Sequence, residues 1–185
     1  MVFKLDVQKA IEAAATLLRH VPSRMMSRKR LLALLYIADR QSLQKTGRPI
    51  IGGRLVAMEH GPIHSEVYDL IKGGHAEQVH WSRHLANDTY HVVLNEDPGV
   101  CALSRHEIGV LADVSDRYIG QDTWDVVAAE THTFSEYKET YHEGTSRPIP
   151  LELVIDAVGL GDKKEEILRD AEEKNFFDQF FGTSK

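Results

Sequence analysis

A single cysteine in 185 residues, Cys101, excludes an internal disulfide framework and fits a reducing cytoplasm. Its setting in DPGVCALS, between a strand and a helix, reads as a small buried thiol rather than a nucleophile. No run approaches the roughly 18 consecutive apolar residues that span a bilayer. The opening MVFKLDVQKA lacks the charged-then-apolar layout of a signal peptide. These absences point to a cytoplasmic protein with no membrane partner. There is no GxSxG elbow, no HExxH pair, no GxGxxG turn and no Walker-type lysine, so the common nucleophile, zinc and phosphate-binding motifs are missing. Gly52-Gly53 and Gly73-Gly74 read instead as turns that need positive φ. Neither internal repeats nor a low-complexity linker interrupts the chain.

What is present is an ordinary globular composition, 42% hydrophobic and 27% charged. The net charge of −6 is unevenly placed: residues 1–30 carry +5 and the remainder −11. An acidic body argues against a dedicated nucleic-acid binder, although the basic run Arg24, Arg28, Lys29, Arg30 keeps that reading open.

Apolar spacing predicts a first helix after Asp6, closed by Pro22-Ser23, and a second from about Arg28 to Lys45. Leu31 to Ala38 is apolar on every side, which predicts a buried central helix. Gly47 and Pro49 end it. A short strand follows over Arg54 to Met58. Gly61-Pro62 reads as the start of a third helix that runs to Lys72. Val79 to His84 and Thr89 to Leu94 read as two strands of a hairpin. Ser104 and Glu107 form a capping box, with Leu103 and Ile108 as its staple, for a helix continuing through Tyr118 and Ile119. Trp124, Val127 and Ala128 give the next helix a buried stripe. Arg147 to Pro150 is a stiff connector into a helix ending at Gly159, and Asp162 begins a charged last helix. The expected class is α+β, mostly α: a winged-helix-like first half with a small hairpin sheet, packed against C-terminal helices.

Asp39 lies on the helical face of Leu32, Leu35, Tyr36 and Leu43, so it should be at least partly buried and need a partner. Arg48, Arg54 and His60 are the nearby candidates. One reading makes Asp39 and His60 an acid/base pair. The other, which is preferred, is an internal ion pair pinning the helix to the turn after it. His60/His64 and His80/His84 have the i, i+4 interval of two ligands on one helix. Pro62 places His60 outside the helix of His64, and a strand would hold His80 and His84 about 13 Å apart. No metal and no cofactor are expected. For DNA reading, the candidate recognition helix Pro62 to Lys72 offers Glu66 and Asp69, which repel phosphates, so nucleic acid is disfavoured. Phe176, Phe177, Phe180 and Phe181 either anchor a partner or fold back on the body.

Within Leu31 to Lys72, the spacing of LLYIAD, then GRPI, then AMEHGPIHSEVYDLI resembles the Panacea domain of the SocA-like antitoxin family. LSRHEIGVLADVSDRYIG, Glu130-Thr131-His132 and IPLELVIDAVG extend the resemblance over about residues 7–159. The family pattern differs at Gly53, where it has aspartate, and at Ile63-His64, where it has valine-proline. The resemblance implies a domain over 1–160 with a charged, Phe-ended helix over 161–185. It implies the antitoxin of a type II-like toxin–antitoxin system, some relatives being encoded in phages or prophages. Such a protein neutralises a cognate toxin by direct contact, without enzymatic chemistry, and in the SocA branch delivers it to a cytoplasmic AAA+ protease. On this reading Asp39, Arg48, Arg54, His60, Gly61, Pro62, Ser65 and His132 shape the partner-binding face. Glu66, Asp69 and the four terminal phenylalanines are its direct contacts. A winged-helix transcriptional regulator is the alternative.

Overall fold

The computed structural model describes residues 3–118 and 124–181, the side chains of 124–127, 178 and 181 excepted. Asp6 caps α1 (Val7–Arg19), its Oδ1 accepting the Lys9 amide at 3.0 Å. After β1 (Met25–Ser27), the Ser27 hydroxyl caps α2 (Arg28–Thr46), which Gly47 closes in the left-handed region at φ 75°. Next come β2 (Leu55–Met58), β3 (Gly61–His64), α3 (Ser65–Lys72), α4 (Gln78–His84), β4 (Leu85–Asn87) and β5 (His91–Leu94). The second half is α5 (Arg105–Tyr118), α6 (Trp124–Thr131), α7 (Ser135–Thr140), β6 (Arg147–Pro148), α8 (Leu151–Ala157) and α9 (Lys164–Phe181). The fold is thus mostly-α α+β, with two small antiparallel sheets among the described residues, ordered β1-β5-β4 and β3-β2-β6.

Every residue of α2 from Leu31 to Ala38 is buried, because the helix divides two cores. Leu31, Leu34 and Leu35 join α1, α5, Trp81 and the first sheet on one side. Tyr36 and Leu43 join Ala57, Tyr137, Ile149, Ile155 and Ile167 on the other. A helix covered from both sides has no polar face to spare, and each fully buried leucine contributes about 2 kcal/mol. The Ser104–Glu107 capping box forms as expected, each side chain taking the other's amide at 3.2 and 2.7 Å. Leu103 is buried and Ile108 packs beside it. Lys9 reaches the same glutamate at 2.6 Å.

Four expectations are corrected. Pro62 does not start a helix; it lies opposite Ala57 in β3, and α3 begins only at Ser65. An edge strand tolerates a residue that cannot donate, and β3 is an edge. Val79 to His84 is not a strand but part of α4. Trp81 alone is driven inward while Val79 is 77% exposed, and the hairpin is β4–β5. The Arg147–Pro148 connector pairs with β2 as a two-residue strand. Cys101 is exposed rather than buried. The Glu12 carboxylate, fully buried on α1, accepts the Ala102 and Leu103 amides, so the loop turns Leu103 inward and leaves the thiol outside. Ala128 is half-buried, whereas the predictions on Ile119 and on the side chains of Trp124, Val127 and Phe181 fall outside the described residues and side chains.

Candidate functional site

The apolar face that Asp39 shares with Leu32, Leu35, Tyr36 and Leu43 carries it into the interior, where it is only 6% exposed. The chain reverses after Gly47 and brings three successive amides back to it. Asp39 Oδ1 accepts from Ile50 and Ile51, and Oδ2 from Gly52, each at 3.0 Å. Gly52 sits at φ 67°, and a Cβ there would stand 2.7 Å from the Lys4 carbonyl oxygen, so the turn admits no side chain. His64, fully buried at the end of β3, closes the arrangement. Its Nδ1 lies 2.8 Å from the Gly52 carbonyl, which only accepts, so Nδ1 carries a hydrogen. Nε2 faces Asp39 Oδ2 at 3.6 Å, close enough for an ion pair when the imidazole holds both hydrogens. Burial pushes the Asp39 carboxyl above the usual aspartate range, against the pull of His64 and the three amides.

The partner of Asp39 is therefore His64 and none of the three candidates the sequence suggested. Arg48 instead faces Asp170 on α9 at 3.4 Å across the surface. Arg54 donates its amide to Glu66 Oε2 at 2.7 Å and its Nε to the Ser65 hydroxyl at 2.9 Å. Glu66 thereby caps the amide at the start of β2, while Asp69 is half-buried on α3.

His60 and Gly61 turn the corner from β2 to β3 and meet the Thr131-His132 pair from the distant end of α6. A Cβ on Gly61, at φ 112°, would stand 2.9 Å from the Thr131 hydroxyl oxygen. His132 stacks on Tyr137 with centroids 4.9 Å apart, and Tyr137 on Tyr141 at 5.2 Å. The Tyr137 hydroxyl donates to the Met58 carbonyl at 2.9 Å, tying this stack to β2. Desolvation first, and then the neighbouring His60, hold the His132 ring below the ordinary histidine range. Two sequence motifs some seventy positions apart thus form one corner.

One cluster escaped sequence reading. Glu136, 1% exposed, accepts from Arg40 Nε at 2.7 Å and from the Tyr36 hydroxyl at 3.1 Å. The Arg40 guanidinium also lies 4.2 Å above the Phe134 ring. Burial, reinforced by Glu136, pushes the Tyr36 hydroxyl well above its ordinary range. A cation following Asp39 on an apolar helix was a signal that a second acid must lie opposite. Nothing in FSEYKET marked Glu136 as that acid. Tyr36, Asp39 and Arg40 line a cavity of about 330 Å³ with Leu55, Ile149 and Leu151.

Among the described residues no group of three or more His, Cys, Asp or Glu side chains is placed to hold a metal. The His80/His84 pair does share a helix, contrary to the strand expectation. However, His80 leans 3.3 Å from Glu77, and the His84 Nδ1–H donates to the Glu96 carbonyl. No described helix is long and apolar enough to cross a membrane.

These features define an α-rich α+β scaffold whose buried carboxylates, Asp39, Glu136 and Glu12, brace loops and helices from within. The chain belongs to the SocA-like antitoxin family, Panacea domain, whose family model matches residues 31–138. That segment runs from the start of α2 into α7 and contains the whole Asp39 centre, the 60–61/131–132 corner and Glu136. No curated protein and no solved structure matches the chain.

Proposed function

We propose that this protein is the antitoxin of a two-gene toxin–antitoxin system, and that it neutralises a cognate protein toxin in the cytoplasm by direct binding, without chemistry of its own. The observation that carries the reading is the family match across the segment that builds both polar centres. Both Asp39 oxygens are engaged by loop amides, and Glu136 is held by Arg40 and Tyr36, an arrangement suited to rigidity. A neutraliser needs a stable, complementary surface and enough affinity to keep free toxin scarce. Co-expression with the adjacent reading frame tests it. The neighbour's product should arrest growth alone, lose that effect in the presence of this chain, and co-purify with it. A harmless or non-binding neighbour overturns the reading. Measuring toxin half-life with and without this chain, in cells with and without their AAA+ proteases, separates sequestration from delivery for degradation.

A second reading, DNA binding, gains support from two observations. The helix ahead of the β4–β5 hairpin is α4, with His80, Arg83 and His84, rather than the acidic α3. The pairing of β1 with β5 also brings Arg24 and Arg28 beside that hairpin, since the Leu94 amide bonds to Arg24 and the Arg28 amide to Tyr90. The objection that the recognition helix is acidic is thereby weakened. A gel shift on the chain's own promoter at low salt, compared with Arg24→Ala/Arg83→Ala, tests it; no shift removes it.

A further inference from the structure

The cavity beside Asp39 encloses about 330 Å³, at the lower end of the range of about 300–1,000 Å³ usual for small-molecule sites. It opens where α2 and residues 49–55 face residues 148–154, and Leu43, Leu55, Ile149, Leu151 and Val154 give it apolar walls. Pro49, Pro148 and Pro150 stand among them with fixed φ and no N–H, so the nearby backbone offers few donors. The two walls are tied together by the sheet. The Ile149 amide donates to the Leu55 carbonyl at 2.9 Å, and Val56 lies opposite Pro148. The hollow is therefore part of the fold, and water inside it finds few partners, so an apolar body displaces that water at a gain.

Four charged side chains border the cavity. Asp39 gives both oxygens to the amides of Ile50, Ile51 and Gly52. Arg40, its side chain 19% exposed, gives Nε to Glu136 and covers the Phe134 ring. Both are thus satisfied inside the protein, whereas Arg54 and Glu152 are exposed at the mouth. Glu152 stands in the first turn of α8, where the positive end of the helix favours a carboxylate. Glu66 takes the backbone amide of Arg54, but the Arg54 guanidinium donates through Nε to the neutral Ser65 hydroxyl.

The geometry points to a ligand site: the cavity binds a small carboxylic acid, its hydrocarbon body against Leu43, Leu55 and Val154 and its carboxylate at the mouth on Arg54. A guanidinium matches both oxygens of a carboxylate, and a headgroup held at the mouth keeps part of its hydration. The site goes beyond the antitoxin reading and needs no toxin.

The test titrates the full chain with octanoate, octanol and octylamine, followed by amide shifts in NMR. Octanoate should saturate one site and move the amides of Gly52, Gly53, Leu55 and Leu151. Octanol and octylamine should bind about fivefold more weakly, the worth of one exposed charge contact. Arg54→Ala should cost octanoate the same factor and octanol nothing, and Glu152→Gln should tighten octanoate about twofold. Leu151→Trp, at a half-buried wall position, fills the hollow and should abolish binding with an unchanged melting temperature. If that variant fails to fold, the exposed Arg54→Ala decides alone. No saturable shift at millimolar octanoate overturns the proposal, as do shifts that survive Leu151→Trp. Octanol bound as well as octanoate, or octylamine bound more tightly, also overturns it. Protection of residues 148–154 by the product of the adjacent reading frame, with octanoate leaving them unmoved, assigns the hollow to a protein partner and overturns it too.

Discussion

The turn around Asp39 and the end of α9 lie in one protein but follow opposite rules. Around Asp39 polar groups are turned inward and paired: three amides and an imidazole converge on one carboxylate. At the end of α9 the apolar groups are turned outward, with the charges beside them in solvent. A buried polar centre fixes one geometry, because each group that loses its partner costs about 1–3 kcal/mol. The exposed rings of Phe176 and Phe180 bury little area within the chain and so contribute little to its stability. The first region should therefore govern folding and the second add little to it.

The largest effect expected from breaking that division is at Asp39. Asp39→Ala strands three buried amides and His64 together, a loss on the order of 4 kcal/mol at about 1–3 kcal/mol per orphaned group, readable by urea denaturation. A stable Asp39→Ala variant with lost toxin binding would instead make Asp39 a contact residue. Next is Gly61→Ala, which forces an alanine to φ 112° with its Cβ 2.9 Å from the Thr131 hydroxyl, at a cost of about 1–3 kcal/mol; calorimetry measures it. Phe176→Ala/Phe180→Ala should change unfolding free energy by no more than about 0.5 kcal/mol, as exposed substitutions do. A larger loss would show that the α9 end is part of the fold after all. The smallest effect is electrostatic. In an NMR titration His132 should take up its proton below the usual pH of about 6.5, and His60→Ala should move that midpoint only part of the way back, since desolvation is the larger cause.

The helices around the core were legible because their signals are local. Asp6, Ser104 and Gly47 act within one turn of themselves, and the all-apolar face of Leu31–Ala38 states its burial directly. Asp39 was recognisable for the same reason. Its partner was not: His60 and His64 lie on the same short stretch, and only the β2–β3 pairing decides which one reaches the interior. Pro62 misled because proline suits both a helix start and an edge strand, and whether a strand lies at an edge is a property of the sheet. The Val79–His84 segment offered a single large apolar residue, Trp81, too few to separate period 2 from period 3.6. Glu136 gave no local signal at all, its partner being Arg40 on another helix.

By itself the sequence determined the helical class, the caps, the central helix and a family signature readable along Leu31–Lys72, since propensity, periodicity and capping act over a few residues. Tertiary structure alone decided which histidine meets Asp39, that Arg40 and Tyr36 close on Glu136, and that Phe176, Phe177 and Phe180 face solvent. Those outcomes depend on which distant segments pack together, and burial and hydrogen-bond satisfaction are settled only when they do.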